Sequence, residues 1–183
     1  MVFGLFRRIP PPAGTLYEAI VAQSRRPAFY RDFNVPDTPE GRFDMIVLHV
    51  CLVFRRLSGG GEELRRLAQD VFDMFCADMD ANLREMGVGD LAVPKRMRGV
   101  AEAFYGRLAA YGGALDRADE SALAAALARN VLGCDAVGSS ARALAVYARA
   151  VVQALDSQDS AALTAGRLSF PSPSVPAAEG IGS

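Results

Sequence analysis

The stretch FDMIVLHVCLVFRRL, residues 43–57, decides the fold of this chain. Between Met45 and Phe54 every side chain is apolar except that of His49. A surface helix would carry charged residues at every third or fourth position, so this run predicts a helix that neighbours cover on most sides. It is about ten residues long, roughly half of what a bilayer crossing requires, and we therefore expect a core helix.

Both ends of this central helix carry recognisable signals. Residues 37–40 supply a cap, a first-turn proline and an acid three residues after Asp37. Arg55 and Arg56 lie in the expected last turn, and residues 58–61, Ser-Gly-Gly-Gly, end the helix.

The rest of the chain also follows helical periodicity, and no segment is a convincing strand. We predict an all-α, single-domain bundle of about six helices. Residues 1–14 form a flexible arm, residues 15–165 the helical domain, and residues 166–183, rich in Pro, Ser and Gly, a disordered tail. The further predicted helical segments are 15–26 (with a capping box at Thr15 and Glu18), 28–33, 62–86, 94–115, 121–132, 139–155 (capped by Ser139 or Ser140) and a turn at 159–164.

Composition excludes several classes of protein. With 183 residues and a net charge of −1, the chain shows no general attraction to nucleic acid or membrane surfaces. Cys51, Cys76 and Cys134 are widely spaced in apolar helical pattern, which predicts buried thiols in a reducing compartment. The first residues match neither a secretory signal nor a mitochondrial presequence, so we expect a cytoplasmic protein.

The N-terminal arm has two interpretations. It is either frayed, or a weak foot in a membrane interface that would bind only reversibly. In the second case Phe3, Leu5 and Phe6 would enter the headgroup region beside Arg7 and Arg8.

Candidate metal and catalytic residues are few. His49 is the one histidine, so histidine-rich metal sites and a bis-histidine haem are excluded, and a hydrogen-bonded core histidine is the favoured interpretation. The helix 62–86 carries an acidic face, and between residues 70 and 86 Arg84 is its only positively charged residue. Paired aspartates hold Mg²⁺ in helical prenyl-transferring enzymes, but the Asp-Asp-x-x-Asp pattern is missing, which favours a solvated or salt-bridged face. That acidic face consists of Asp70, Asp73, Asp78, Asp80 and Glu85.

Aromatic residues beside arginine mark two further segments, FYRDF at 29–33 and AFYGR at 103–107. Such residues anchor protein interfaces, and they also anchor helix packing. The helix 94–115 begins with Lys95, Arg96 and Arg98, which oppose the helix dipole and therefore need a partner or the preceding acidic helix. No aromatic-basic stripe supports nucleic-acid recognition.

Two long blocks resemble the ubiquinol–cytochrome c chaperone family, the assembly factors of the respiratory bc1 complex. They are FYRDFNVPDTPEGRFDMIVLHVCLVFRRL and FDMFCADMDANLREMGVGDLAVPKRMRGVAEAFYGRLAAY, and the similarity covers roughly residues 15–117. The resemblance implies an all-helical chaperone of bacterial type for newly made cytochrome b, without cofactor or catalytic group. It also implies work near the inner membrane, with a second assembly factor or the ribosome as further partners.

A chaperone for cytochrome b needs an apolar patch with a polar rim, and an acidic face could contact the basic cytoplasmic loops of such a client. The same acidic face could instead pair with Lys95, Arg96 and Arg98. Two alternatives stay open: an isoprenoid- or lipid-handling enzyme that uses Asp73, Asp78 and Asp80, and a lipid-binding module. Our predicted partner-binding residues are Tyr30, Arg31, Asp32, Asp78, Asp80, Arg84, Glu85, Asp90, Lys95 and Arg96; we predict no metal ligand.

Overall fold

The computed structural model describes residues 11–175, which form helices and connecting loops without any strand. The all-α prediction is confirmed, and no helix in this part of the chain is long and apolar enough to cross a membrane. The helices within residues 11–175 are α1 (Pro11–Ser24), α2 (Pro27–Arg31), α3 (Pro39–Ser58), α4 (Glu62–Glu85), α5 (Val93–Asp116), α6 (Glu120–Val131), α7 (Ser139–Asp156) and α8 (Ser160–Thr164).

Helix α3 is the centre of the bundle and contacts α1, α4, α5, α6 and α7. Between Met45 and Val53 no residue exposes more than 5% of its surface. Leu48 is 0% exposed and Leu52 is 2% exposed, as the uninterrupted apolar run predicts. Because the apolar side chains of α3 are removed from water on all sides of the helix, their burial contributes strongly to the stability of the folded bundle.

The start of α3 differs from the prediction by one residue. Thr38 is the cap, because its hydroxyl accepts a hydrogen bond from the backbone N–H of Gly41 at 3.1 Å. The carboxylate of Asp37 instead accepts from Arg42 at 2.8 Å. A Cβ on Gly41 would lie 2.0 Å from the carbonyl oxygen of Pro36, so only glycine allows the incoming chain to approach α3 so closely.

Helix α1 is already formed at Pro11, the first described residue, and so includes residues before the predicted start at residue 15. Thr15 therefore lies inside the helix, and its hydroxyl donates to the carbonyl oxygen of Pro11 at 3.1 Å instead of capping. Helix α7 likewise begins after Gly138 without a side-chain cap from Ser139 or Ser140. The proposed foot at residues 3–8 lies outside the described residues.

The segment after α8 has no regular secondary structure up to residue 175, in agreement with the predicted tail. Its first part nevertheless packs on the bundle, because Leu168 and Phe170 lie against the core. The Phe170 ring centroid is 5.6 Å from that of His49, and Gln158 exchanges two hydrogen bonds with the backbone of Ser169. The packed domain therefore extends beyond the predicted boundary at residue 165.

His49 is a core histidine held by a chain of hydrogen bonds. Its Nδ1–H donates to the carbonyl oxygen of Met45 at 2.8 Å, and its Nε2 accepts from the Tyr147 hydroxyl at 2.8 Å. Gln23 donates in turn to the Tyr147 oxygen and to the carbonyl oxygen of Pro171. Complete burial lowers the pKa of His49 to about 4, so the ring is neutral at pH 7.

Two predictions about burial are wrong. Cys134 lies exposed in the loop after α6, whereas only Cys51 is buried and Cys76 is half-buried. Helix α6 ends at Val131, and Gly133 takes a positive φ of 64°. Cys134 therefore lies beyond the helix and not within helical pattern as predicted.

Candidate functional site

The predicted partner-binding residues lie in two places. Tyr30, Arg31 and Asp32 belong to α2 and its C-terminal cap. The other predicted residues lie in the second half of α4, in the loop after it and in the first turn of α5.

Tyr30 and Arg31 line a surface cleft of about 480 Å³ together with Arg25 and Arg42, whereas Asp32 does not line it. Arg31 donates to the Asp32 carboxylate at 2.7 Å, and this contact lowers the pKa of Asp32. Arg42 is similarly paired with Asp37. Because neighbouring carboxylates neutralise two of the three arginines, the cleft carries only a modest positive charge.

The aromatic residues of the two marked segments serve mainly to pack the bundle. Phe29, Phe33 and Phe104 are 0% exposed. Arg107 pairs with Asp44 of α3 at 2.6 Å, with only 16% and 18% of these side chains exposed. Tyr105 is different, since 52% of its surface is exposed. The packing interpretation therefore holds for the phenylalanines and for Arg107.

A tight reversal joins α4 to α5 and positions the second group of residues. Gly87 has a left-handed φ of 80°, which glycine adopts readily. The N–H of Gly87 donates to the carbonyl of Arg84, and that of Val88 donates to the carbonyl of Leu83, which is the Schellman arrangement. Val93 is 2% exposed and fixes the start of α5. The loop that joins α4 to α5 is therefore fixed at both ends, by the Schellman hydrogen bonds and by the buried Val93.

Arg84 organises the acidic residues at this end of α4. Its guanidinium pairs with Asp80 at 2.6 Å and with Asp90 across the loop. The three side chains stay open to water, with 37% of Asp80, 48% of Arg84 and 88% of Asp90 exposed. Glu85 is exposed beside them.

The alternative in which the acidic face pairs with the start of α5 does not hold. Lys95, Arg96 and Arg98 are exposed and form no ion pair within residues 11–175. These cations lie at the N-terminal end of a helix, where the dipole disfavours them, and the described residues offer no internal compensation. They are available for an external partner.

The residues of the predicted acidic face do not all face solvent, because of the way α4 packs in the bundle. Asp70 is buried, at 6% exposure, and not on the solvent side as predicted. Asp78 is half-buried and accepts a hydrogen bond from the Tyr17 hydroxyl at 2.7 Å, which ties α4 to α1. Asp78 thus has a structural contact in addition to any binding role. Only Asp80, Glu85 and Asp90 face outward near the loop.

The most exposed apolar residues of the region escaped the sequence analysis. Leu91 is 100% exposed and Met86 is 74% exposed. We define the hairpin tip as the following residues at this end of the α4–α5 hairpin: Asp80, Arg84, Glu85, Met86, Asp90, Leu91, Lys95 and Arg96. Leu91 lies between the predicted helices 62–86 and 94–115, where a short loop has no periodicity that would assign a face to its side chain.

The carboxylates do not converge as a metal-dependent enzyme would require. No group of three His, Cys, Asp or Glu residues between residues 11 and 175 is arranged to hold a metal ion. Asp73 accepts from Gln69, Asp78 from Tyr17 and Asp80 from Arg84. None of these three aspartates lines the α2 cleft. The geometry is that of a charged surface with apolar residues at its end.

Comparison with known proteins identifies the family. The sequence model described as ubiquinol-cytochrome C chaperone matches residues 31–170, which is most of the chain. The chain belongs to this family. The match extends from α2 to the packed segment after α8, and it includes every predicted partner-binding residue except Tyr30.

Two individual relatives agree with this assignment. The chain is 29% identical over 160 residues to ubiquinol-cytochrome c reductase complex assembly factor 1 of Drosophila melanogaster, covering 82% of this chain. It spans 60% of the length of that relative. The crystal structure of the Cbp3 homolog from Brucella abortus is similar with a TM-score of 0.80 at 43% identity, covering 88% of this chain and 89% of the other.

Proposed function

We propose that this protein assists assembly of the bc1 complex by binding newly made cytochrome b, and that it acts by binding without catalysis. The family description and the name of the Drosophila relative support a role in assembly of ubiquinol-cytochrome c reductase. The client, the surface that binds it and a cytoplasmic location beside the inner membrane are our proposals. A second assembly factor or the ribosome would be additional partners.

The hairpin tip is the observation that carries this proposal. Leu91 and Met86 expose apolar surface that the fold does not use, and charged side chains surround them. An apolar centre with a polar rim is typical of a protein interface. A many-span membrane protein presents apolar helices before its haem is inserted, and Leu91 and Met86 would contact such a helix.

The charges of the tip fit the loops of the same client. Asp80, Glu85 and Asp90 are balanced by Arg84, Lys95 and Arg96, so the tip is mixed in charge. Cytoplasmic loops of membrane proteins carry excess Lys and Arg, which the exposed carboxylates of the tip would attract. We assign Tyr30 and Arg31 to a second contact surface, because the cleft they line is mixed in charge, and Asp32 to the same surface through its ion pair with Arg31.

The experiment compares two exposed ion pairs on one helix. Asp80→Asn with Arg84→Ala removes the pair at the tip, and Glu62→Gln with Arg66→Ala removes an equivalent i,i+4 pair at the other end of α4. Each variant replaces the normal protein in cells, and cytochrome b haem is measured in membranes. Circular dichroism and melting curves establish that both variants are folded.

We expect haem-loaded cytochrome b to fall with the tip variant and to remain normal with the control. Normal haem with a folded tip variant would contradict the proposed surface. An equal loss with both variants would indicate a general effect of charge removal and would likewise contradict it. Normal haem in cells without the protein would reject the proposed function itself.

A further inference from the structure

A second surface lies on the α6–α7 hairpin, and none of the predicted partner-binding residues lines it. It is a groove of about 380 Å³ between the first half of α6 and the middle of α7. Its lining includes the small side chains of Ala124 and Ala145 and the apolar side chain of Val146. Val146 is 49% exposed, although both of its neighbours in the chain are buried.

The alanines give this groove a particular shape. Because Ala124 and Ala145 have no side chain beyond Cβ, the backbone of another segment can approach the two helices closely. Val146 then provides an apolar contact at the edge of the groove. An apolar side chain from a bound segment would cover the exposed part of Val146 and release water from both surfaces.

Arg149 is the unusual residue of the groove. Its Nε and Nη2 atoms are shielded from solvent and have no hydrogen-bond partner within residues 11–175. The Glu120 carboxylate is 3.6 Å from Nε, beyond hydrogen-bond distance, and that side chain is itself 75% exposed. Shielded N–H groups without acceptors are unfavourable, so the N–H groups on these two nitrogens are ready to receive an oxygen ligand.

A second cation lines the same groove. Arg142 is exposed and forms no ion pair among the described residues. It lies two helical turns before Arg149 on α7, so both arginines share one face of the helix. With Glu120 as the only acid in the lining, the groove has an excess of positive charge.

We propose that this groove binds an acidic segment of another polypeptide. A carboxylate of that segment accepts hydrogen bonds from Arg149 and interacts with Arg142, and an adjacent apolar side chain packs on Val146. The shielded N–H groups lie between two helices, where a flat lipid surface does not reach, and the alanine floor favours a peptide. This site is separate from the hairpin tip and does not depend on the identity of the client.

Defined peptides test the proposal with the intact chain. The probes are a short helix-forming peptide of alanine and leucine with two central glutamates, the same peptide with two glutamines, and acetate alone. Binding is followed in ¹⁵N–¹H spectra that include the arginine Nε–H signals. We expect the glutamate peptide to shift the Arg149 Nε–H signal and to bind at least about tenfold more tightly than the glutamine peptide.

Three variants locate the binding. Arg142→Gln and Val146→Asp should each weaken the glutamate peptide about tenfold or more, because one removes a cation and the other places a like charge beside the carboxylate. Arg129→Gln is the control, since Arg129 is an exposed arginine of α6 outside the groove lining. Arg142 is itself exposed, so this variant remains decisive if Val146→Asp does not fold.

Several results would overturn the proposal. Equal binding of the glutamine peptide would show that the carboxylate is not recognised. Acetate that binds as tightly as the peptide would indicate a site for a free anion and not a docking groove. Absence of any shift at Arg149 would show that the groove is not a peptide site. None of these outcomes concerns cytochrome b haem in cells, which tests the hairpin tip separately.

Discussion

The middle of α3 and the hairpin tip differ in the solvent exposure of their apolar side chains. No residue between Met45 and Val53 exposes more than 5% of its surface, whereas Leu91 at the tip is 100% exposed. The fold gains its stability from the first region and nothing comparable from the second. An apolar side chain that folding does not use is available for binding, and this difference is our reason for proposing the hairpin tip as a contact surface.

Charged residues show the same contrast. The Asp44–Arg107 pair is more than four-fifths buried and connects α3 to α5, so loss of one partner would leave a charge in a poorly solvated position. The Arg84 pairs at the tip are open to water and connect residues of one hairpin. Solvent screening makes such pairs weak contributors to stability.

The largest effect is expected in the middle of α3. Leu48→Ala should lower the free energy of unfolding by about 2–5 kcal/mol, because it leaves a cavity at a fully buried position. Urea denaturation measures this loss. Leu91→Ala is the matched control and should leave the unfolding midpoint unchanged within error. A loss below about 1 kcal/mol at Leu48 would mean that α3 is not the centre of the fold.

The next effect concerns pH. The pKa of His49 falls from its ordinary 6.5 to about 4 in the folded protein. Between these values the unfolded chain binds a proton that the native chain does not, so stability decreases as pH falls from 6.5 towards 4. The expected contribution is about 3 kcal/mol.

Denaturation at a series of pH values checks this expectation, with His49→Gln as the comparison. The variant should lose the part of the pH dependence that lies in this window. If the normal protein and the variant show the same slope between pH 4 and 6.5, the neutral buried His49 is not the cause.

The smallest effect on stability is expected at the tip. Asp80→Asn with Arg84→Ala should shift the unfolding midpoint no more than the control pair Glu62→Gln with Arg66→Ala, because both ion pairs are exposed. Parallel thermal melts measure the two shifts. A clearly larger shift for the tip variant would show that Arg84 is needed to hold the hairpin.

The helices were predictable because their apolar residues recur with helical spacing over many turns. The uninterrupted run in α3 specifies a helix without reference to its neighbours, and so does an apolar stripe along α4 at three- and four-residue spacing, formed by Leu64, Leu67, Ala68, Val71, Phe72, Phe75 and Met79. The burial of Leu168 and Phe170 was not predictable, because an isolated aromatic in a Pro- and Ser-rich segment has no periodicity. The position of Phe170 depends on the space beside His49, whose ring also contacts Phe29 of α2 and Tyr147 of α7.

The candidate site was predictable only in part, for a related reason. Periodicity placed Asp70 and Asp78 on the face opposite the apolar stripe, but the bundle buries Asp70 and brings Tyr17 of α1 to Asp78. The groove at Arg149 likewise depends on how α6 lies against α7. Pattern assigns residues to the faces of one helix, whereas contact between helices decides which charges remain free.

The central claim, that the hairpin tip contacts newly made cytochrome b, is tested most directly by crosslinking. A photoactivatable amino acid replaces Leu91 in one variant and Glu63 in another; Glu63 is exposed at the other end of α4, roughly 30 Å away at about 1.5 Å per residue. Cells are irradiated during synthesis of cytochrome b, and adducts are identified by mass. We predict a cytochrome b adduct from position 91 and none from position 63. No adduct at position 91, or equal adducts at both positions, would contradict the claim.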